Sequence, residues 1–352
     1  MKNYESTSYN TQNLEVYSSR VNMYSKFRNL TDNNIFILGI AIVLVLIIGA
    51  IKLDSFVGLY NLSRVIRQLS ISGLLALGMT FVIIGGNGGI DLSVGSTFGI
   101  ATMIAISLQN KQIVNTGAKP YPGLDLPLVA IIIICLLAGV IVGLINGLGV
   151  TKLKISPFIM TLCMLYIGRG LVLVYSNGFQ FIGIRDDFKV LGGGMIANII
   201  PVPTIFFTII TIIAYIMAHK LDYGRRLFAV GANAKAAYIS GIKTNQIIVS
   251  TYIISGVLAA LAGMLFTSFT MVADPWAGDG YELDAISAVL LGGTSLLGGK
   301  GTVIGTVLGL VFIALLKNFL TQLNINPYVQ QLITALIILV VVLLQQVQNN
   351  NN

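Results

Sequence analysis

The sequence predicts an all-α fold: a polytopic membrane protein of about ten transmembrane helices, some of them short and broken by glycine. Composition is the first ground. Of 352 residues, 55% are hydrophobic and only 10% charged, with a mean hydropathy of +0.87, where a soluble domain carries about 25% charged residues. The second ground is recurrence, since apolar runs of the roughly 20 residues needed to span ~30 Å of hydrocarbon follow one another along the chain. The third is pattern: the runs are continuous Ile, Leu and Val without alternation in twos, which selects helices over a closed barrel.

Residues 1–33 are rich in Asn, Ser and Tyr and lead into the first apolar run without a cleavage site, so a polar tail is predicted there, not a signal peptide. Spans are predicted at about 34–51, 70–86, 92–108, 126–148, 156–176, 202–219, 247–270, 283–297, 301–320 and 328–345. The transmembrane domain then covers 34–346, and a second polar tail occupies 347–352. Just before the second span, NLSRVIRQLS carries Arg64 and Arg67 and reads as an amphipathic interfacial helix. Cys135 and Cys163 both fall in apolar runs, so no disulfide framework is indicated. His219, the only histidine, sits at the end of a span and builds neither a metal site nor a triad.

With the N-terminus inside, one side of the membrane collects Lys152, Lys154, Lys220, Arg225, Arg226, Lys235, Lys243 and Lys300, while the other holds most acids, among them Asp125, Asp186, Asp187, Asp274 and Asp279. The positive-inside rule therefore puts both termini and the loop 220–246 in the cytoplasm. Basic cytoplasmic loops also account for the net charge of +8 without nucleic acid. Within the loop, KLDYGRRLFAVGANAKAAYISGIK sets five basic residues against the single acid Asp222, and an Ala-rich piece at 232–242 is expected to form a helix ending at Gly241. A basic loop of this length has the character of a docking surface.

Two glycine clusters interrupt the apolar runs, one early and one late. The first contains Gly85, Gly86, Gly89, Asp91, Ser93 and Gly95, and the second Gly292, Gly293, Gly298, Gly299 and Gly301. Short, Gly-broken segments in corresponding places of two halves point to a transport pathway, although tight turns and close helix packing use the same residues. Asp91 has two readings, a cap on the helix that starts near Leu92 and a contact for substrate. Arg169 falls mid-span and faces the bundle interior or a cavity, unless it snorkels. MVADPWAGDGYELDA holds the only tryptophan, Trp276, with Tyr281, Glu282 and Asp284; it is either an interfacial anchor or an external rim that meets a partner. GGTSLLGGKGT fails as a phosphate loop, because Thr294 stands where the first glycine belongs and Gly301 follows Lys300. No nucleotide site is evident in the chain itself.

Taken together, GGNGGIDLSVGS at 85–96, INGLGVTKLKISPFIMTL at 145–162, GRRLFAVGANAKAAYISGI at 224–242 and GYELDAISAVLLGGTSLLGGKGTVIGT at 280–306 resemble the permease family of ribose- and galactose-type ATP-binding cassette (ABC) importers. NINPYVQQLI at 324–333 is similar to the methylgalactoside branch, and the resemblance covers roughly residues 55 to 345. It implies a non-catalytic subunit in the cell membrane that passes a monosaccharide, paired with a second copy or a paralogous permease. It also implies a cytoplasmic ATPase that holds ATP and Mg, and an extracytoplasmic sugar-binding protein. Such permeases present a coupling helix to the ATPase, often E-A-A-x-x-x-G. The matching residues here are Lys235, Ala236, Ala237, Tyr238, Ile239, Ser240 and Gly241, with lysine in place of the acid and Gly224, Arg225 and Arg226 leading in. By the same resemblance the alanines sit in a groove of the ATPase, and sugar passes the glycine-broken helices. An ion-coupled secondary transporter, or an ABC permease for autoinducer-2 or nucleosides, is the alternative.

Overall fold

The computed structural model describes residues 34–86, 88–109, 112–115, 121–183 and 185–350; the predicted tail 1–33 and the last two residues lie outside them. The chain is mostly helical, in the order α1 (Asn34–Lys52), α2 (Leu59–Gly85), α3 (Val94–Ser107), β1 (Gln112–Asn115), β2 (Tyr121–Pro122), α4 (Leu128–Thr151), α5 (Pro157–Ser176), β3 (Phe181–Ile182), α6 (Asp186–Gly193), β4 (Met195–Ile196), β5 (Ile200–Pro201), α7 (Val202–His219), α8 (Asp222–Ala232), α9 (Ala234–Ile239), α10 (Thr244–Thr270), β6 (Val272–Ala273), α11 (Tyr281–Leu291), α12 (Val303–Gln322) and α13 (Pro327–Asn350). Among the described residues seven helices, α1, α2, α4, α5, α7, α10 and α12, are long and apolar enough to cross a membrane. The apolar stretches of α3 and α13 are shorter.

The short strands qualify the all-α expectation. Loops at one end of the bundle pair as a small antiparallel sheet in the order β2-β1-β3-β6, with Val114 opposite Ile182 and Phe181 opposite Ala273. Arg185 closes this end, donating to the carbonyls of Gln109 and Leu126 and pairing with Asp125 and Asp187.

Helices α2 and α10 form the centre. The second predicted span begins earlier than expected, because NLSRVIRQLS continues the helix instead of lying at an interface. Val65 and Leu69 are buried on one side of it, and the Arg67 guanidinium lies 4.7 Å from the Phe269 ring centroid, a cation–π contact that holds the charge at the helix end. α10 packs closely on α4. A Cβ on Gly139 would overlap the Gly256 carbonyl, and one on Gly256 would overlap the Gly139 carbonyl. Only glycine at both positions lets the two backbones meet, the small-residue contact expected of membrane helices.

The predicted span 283–297 is also revised. α11 stops at Leu291, and Gly293, Gly298 and Gly299 adopt positive φ of 84°, 84° and 69° in the turn that leads to α12. Left-handed backbone costs a glycine little and other residues about 1 kcal/mol or more, so the second cluster ends the helix.

Candidate functional site

The loop 220–243 folds as two helices, not the single Ala-rich helix expected at 232–242. Asn233 breaks them apart with extended backbone (φ −160°, ψ 99°), and its side-chain oxygen accepts from Ala236 N–H at 2.9 Å, an N-cap that satisfies an otherwise unpartnered donor. α9 then ends in a Schellman turn. Gly241 sits at φ +85°, its N–H donates to Tyr238 O (2.9 Å), and Ile242 N–H donates to Ala237 O (3.0 Å). The expected stop at Gly241 is therefore in place.

The faces of α9 differ from expectation. Ala237 is 5% exposed and turned into its own chain, so it is not free to lie in a partner's groove. Outward stand Lys235, Ala236, Tyr238 (70% exposed) and Ile239 (76%). Large apolar side chains this bare are what a protein contact covers, and the sequence reading passed over both in favour of the alanines. Arg225 and Arg226 are exposed on α8, Arg225 pairing with Asp222. Gly224 is buried, and a Cβ there would overlap the Ala218 carbonyl; its part is to seat α8 on α7.

Both glycine clusters come to α8. Gly299 N–H donates to Ile84 O at 2.9 Å, next to Gly85 and Gly86 at the end of α2. A Cβ on Gly231 of α8 would overlap that carbonyl and lie 2.6 Å from Gly299 N. Gly292 packs against Gly305 of α12, and Gly293 supplies a positive-φ turn.

Between α2 and α3 the backbone at 88–93 is not helical. Such backbone at membrane depth persists where protein buries it and satisfies its polar groups. Asp91 does this. One carboxylate oxygen accepts from Ser93 N–H (3.0 Å) and Ser93 Oγ (2.6 Å), and the other from Ser255 Oγ (2.7 Å). Asn146 donates to Ser93 Oγ at 2.8 Å, and Thr161 Oγ1 to Ile90 O at 3.0 Å. Asp91 is 1% exposed and braces the approach to α3, but it is not the cap expected of it: Ser93 holds the N-cap position two residues further on and makes no side-chain cap bond. Gly89 lies near the Tyr252 hydroxyl, and Gly95 near Glu282 Oε2 and the Gly278 carbonyl.

Arg169 is buried, and its Nη1 donates to Pro275 O (2.6 Å) and Ala277 O (3.0 Å). It thereby clamps the loop that presents Trp276, itself 58% exposed. Glu282 is 8% exposed, so its carboxylate lies beneath the rim and not on it. Asp284 is bound by Lys317 at 2.5 Å and 2.6 Å.

At this same end a cavity of about 500 Å³ opens between α2, α10, α11, α12 and α13, lined by Asn61, Gln68, Tyr281, Asp284, Lys317, Asn318 and Gln331 among others. Of the residues singled out from sequence, Arg64, Tyr281 and Asp284 line it, while Asp91, Arg169 and the glycines do not. Lys317 in an apolar run was the available signal, since an intramembrane charge marks a site by default; the amides carry no sequence signature.

The family whose profile matches residues 61–342 is the permease component of branched-chain amino acid transport systems. The ribose import permease of Bacillus subtilis is 39% identical over 297 residues, covering 84% of this chain and 87% of the relative. That of Haemophilus influenzae is 40% identical over 300 residues, 84% and 88% of the two chains. The galactose/methyl galactoside import permease of Escherichia coli K12 is 33% identical over 312 residues, 85% and 90%. No solved structure matches the chain. Across these matches the ribose permeases share more with it than the galactose permease does, although 324–333 alone resembles the methylgalactoside branch. The chain belongs to the permease family of ribose- and galactose-type ABC importers.

Proposed function

We propose that this chain is the membrane subunit of an importer that passes a neutral monosaccharide of the ribose or galactose class, driven by ATP hydrolysis in a partner. The observation that carries this is the kinship over more than four-fifths of the chain with permeases named for ribose and galactose import. The exposed α9, with Tyr238 and Ile239 bare and a fixed stop at Gly241, supports docking of a cytoplasmic ATPase there. Lys235 takes the place of the usual acid, so the contact rests on apolar side chains and not on a carboxylate. In this reading ATP and Mg bind the partner, and this chain makes and breaks no covalent bond.

α3, α11 and α13 complete ten crossings with the seven long helices, inside a transmembrane domain of 34–346. The α8–α9 end faces the cytoplasm, where Lys152, Lys154, Lys220, Arg225, Arg226, Lys243 and Lys300 gather, and both termini lie on that side of the cell membrane. Two copies, or one copy with a paralogue, form the pathway, and a sugar-binding protein delivers ligand at the sheet end near Trp276. The Gly85–Gly86 and Gly292–Gly293 breaks form the inner seal that opens during transport.

Ion coupling fits less well. The Asp91 carboxylate is bound by three donors from Ser93 and Ser255, and a coupling group must exchange its partner freely. The test is uptake of D-ribose, D-galactose and D-allose into vesicles that contain the chain and its ATPase and binding-protein partners. Uptake is expected to require ATP and to survive an uncoupler. Uptake that collapses with the uncoupler and ignores ATP depletion overturns the proposal.

A further inference from the structure

We infer that the cavity at the sheet end of the bundle is a binding site for one neutral monosaccharide within a single chain, an inference that rests on the function proposed above. Its volume, about 500 Å³, lies within the ~300–1,000 Å³ of small-molecule pockets, and its walls have the chemistry of a sugar. A pyranose or furanose offers hydroxyls that both donate and accept around its edge, and C–H groups on its faces. It asks for side chains that donate and accept side by side and for a flat ring.

The cavity supplies each. Asn61 and Asn318 exchange amide hydrogen bonds of 2.9 Å and 3.0 Å, which fixes their planes. The side-chain amides of Gln68 and Gln331 have no protein partner among the described residues, and each offers two donors and an acceptor. Tyr281 and Phe266, whose ring centroids lie 6.5 Å apart, are both among the lining residues. Asp284 and Lys317 neutralise each other across 2.5 Å and still present an acceptor beside a donor. Arg64 also lines the cavity and adds a guanidinium donor, so the neutral class of the solute rests on the function proposed above and not on the charge of the walls.

The cavity also lies on the helices that reach α8. α2 bears Asn61 and Gln68 at this end and the Ile84 carbonyl at the other. α11 and α12 bear Asp284 and Lys317 here, and they are joined at their far ends by the turn that holds Gly299. A ligand that draws these helices together thus acts on the elements that seat the α8–α9 loop.

The test uses the complete importer in vesicles, with Cys163→Ser to remove the exposed thiol. Gln331→Cys is labelled by a membrane-impermeant methanethiosulfonate with and without D-ribose, D-galactose or D-galacturonate, and Lys189→Cys on the exposed face of α6 is the control. The transported neutral sugar is expected to slow labelling at 331 and not at 189. Gln331→Ala and Gln68→Ala are each expected to raise KM about tenfold with kcat kept, the loss of ~1.4 kcal/mol of binding. An importer that carries the sugar, yet labels at 331 equally fast with it and keeps its KM in both alanine variants, overturns this site and leaves the proposed function standing. Protection by galacturonate alone overturns the neutral class. An importer that carries no monosaccharide overturns the proposed function and this site with it.

Discussion

Gly299 donates its backbone N–H to the carbonyl of Ile84 at 2.9 Å, and Gly231 lies against both atoms. Three stretches far apart in sequence, the end of α2, the end of α8 and the turn before α12, thus meet through backbone alone. A side chain at this point has nowhere to go except into a buried carbonyl. The contact ties the two glycine-broken regions to the exposed α8–α9 loop.

Gly231→Ala is therefore expected to destabilise the protein by about 3 kcal/mol, since the added methyl overlaps a buried carbonyl and displaces the hydrogen bond it accepts. Gly170, in α5, has nothing within 4 Å of an added Cβ, so Gly170→Ala is expected to leave stability unchanged or raise it by about 0.5–1 kcal/mol through helix propensity. Thermal unfolding of the two variants in one detergent compares them directly. Equal melting temperatures would refute the packing argument.

The sequence is legible wherever a signal is local. The seven long helices follow from apolar run length and the α9 stop from Gly241, whereas the place of Asp91 before an apolar run suggests a cap that Ser93 occupies instead. What it hides is long-range. Asn233 is itself a local signal, since asparagine is a preferred N-cap and its bond to Ala236 spans three residues, whereas the turn of α8 onto α7 depends on Gly224 packing at Ala218 and leaves no local mark. Ala237 and Tyr238 are neighbours in an Ala-rich piece, and only the packing of α9 decides that the first turns in and the second out. Arg169 was legible as a buried charge, but its acceptors are backbone carbonyls of a distant loop, which no side-chain pattern records. The cavity joins five helices through common amides, the residue type that periodicity ignores.

Gly241 tests conformation without crowding. Nothing lies within 4 Å of a Cβ there, yet φ is +85°. Gly241→Ala is expected to cost the α9 stop about 1–2 kcal/mol, and Gly241→Asn less, since asparagine tolerates the left-handed region. Co-purification of the ATPase partner should fall in the order Gly, Asn, Ala, Val. Full association with Gly241→Val would show that the turn does not set the docking surface.

Arg169→Ala leaves the carbonyls of Pro275 and Ala277 without their donor, an expected loss of about 3 kcal/mol for two charge-assisted bonds. Arg169→Lys should recover part of it, because an ammonium reaches one carbonyl better than two. Trp276 is the only tryptophan and sits between the two acceptors, so its emission reports the loop. A red shift and faster proteolysis at 274–280 are expected in Arg169→Ala, and an unchanged spectrum with unchanged proteolysis would exclude the clamp.

Asp91 separates bracing from ion coupling by a single substitution. Asp91→Asn keeps one oxygen to accept from Ser93 N–H and Oγ, and places an amide where Ser255 Oγ now donates. That hydroxyl can rotate to accept instead, so the expected cost is about 1 kcal/mol and transport continues. Asp91→Ala strips three buried donors of their acceptor and is expected to cost about 3 kcal/mol or more, with loss of folded protein ahead of any specific loss of transport. Ser255→Ala removes one of the three bonds and should behave like Asp91→Asn. The measurement is initial uptake per folded molecule, with folded protein counted by size-exclusion chromatography. If Asp91→Asn folds normally but does not transport, the negative charge itself is required, and the brace assigned to Asp91 is not its main role. Near-normal uptake per folded molecule in Asp91→Asn and Ser255→Ala, with Asp91→Ala failing to fold, is the pattern a structural carboxylate gives.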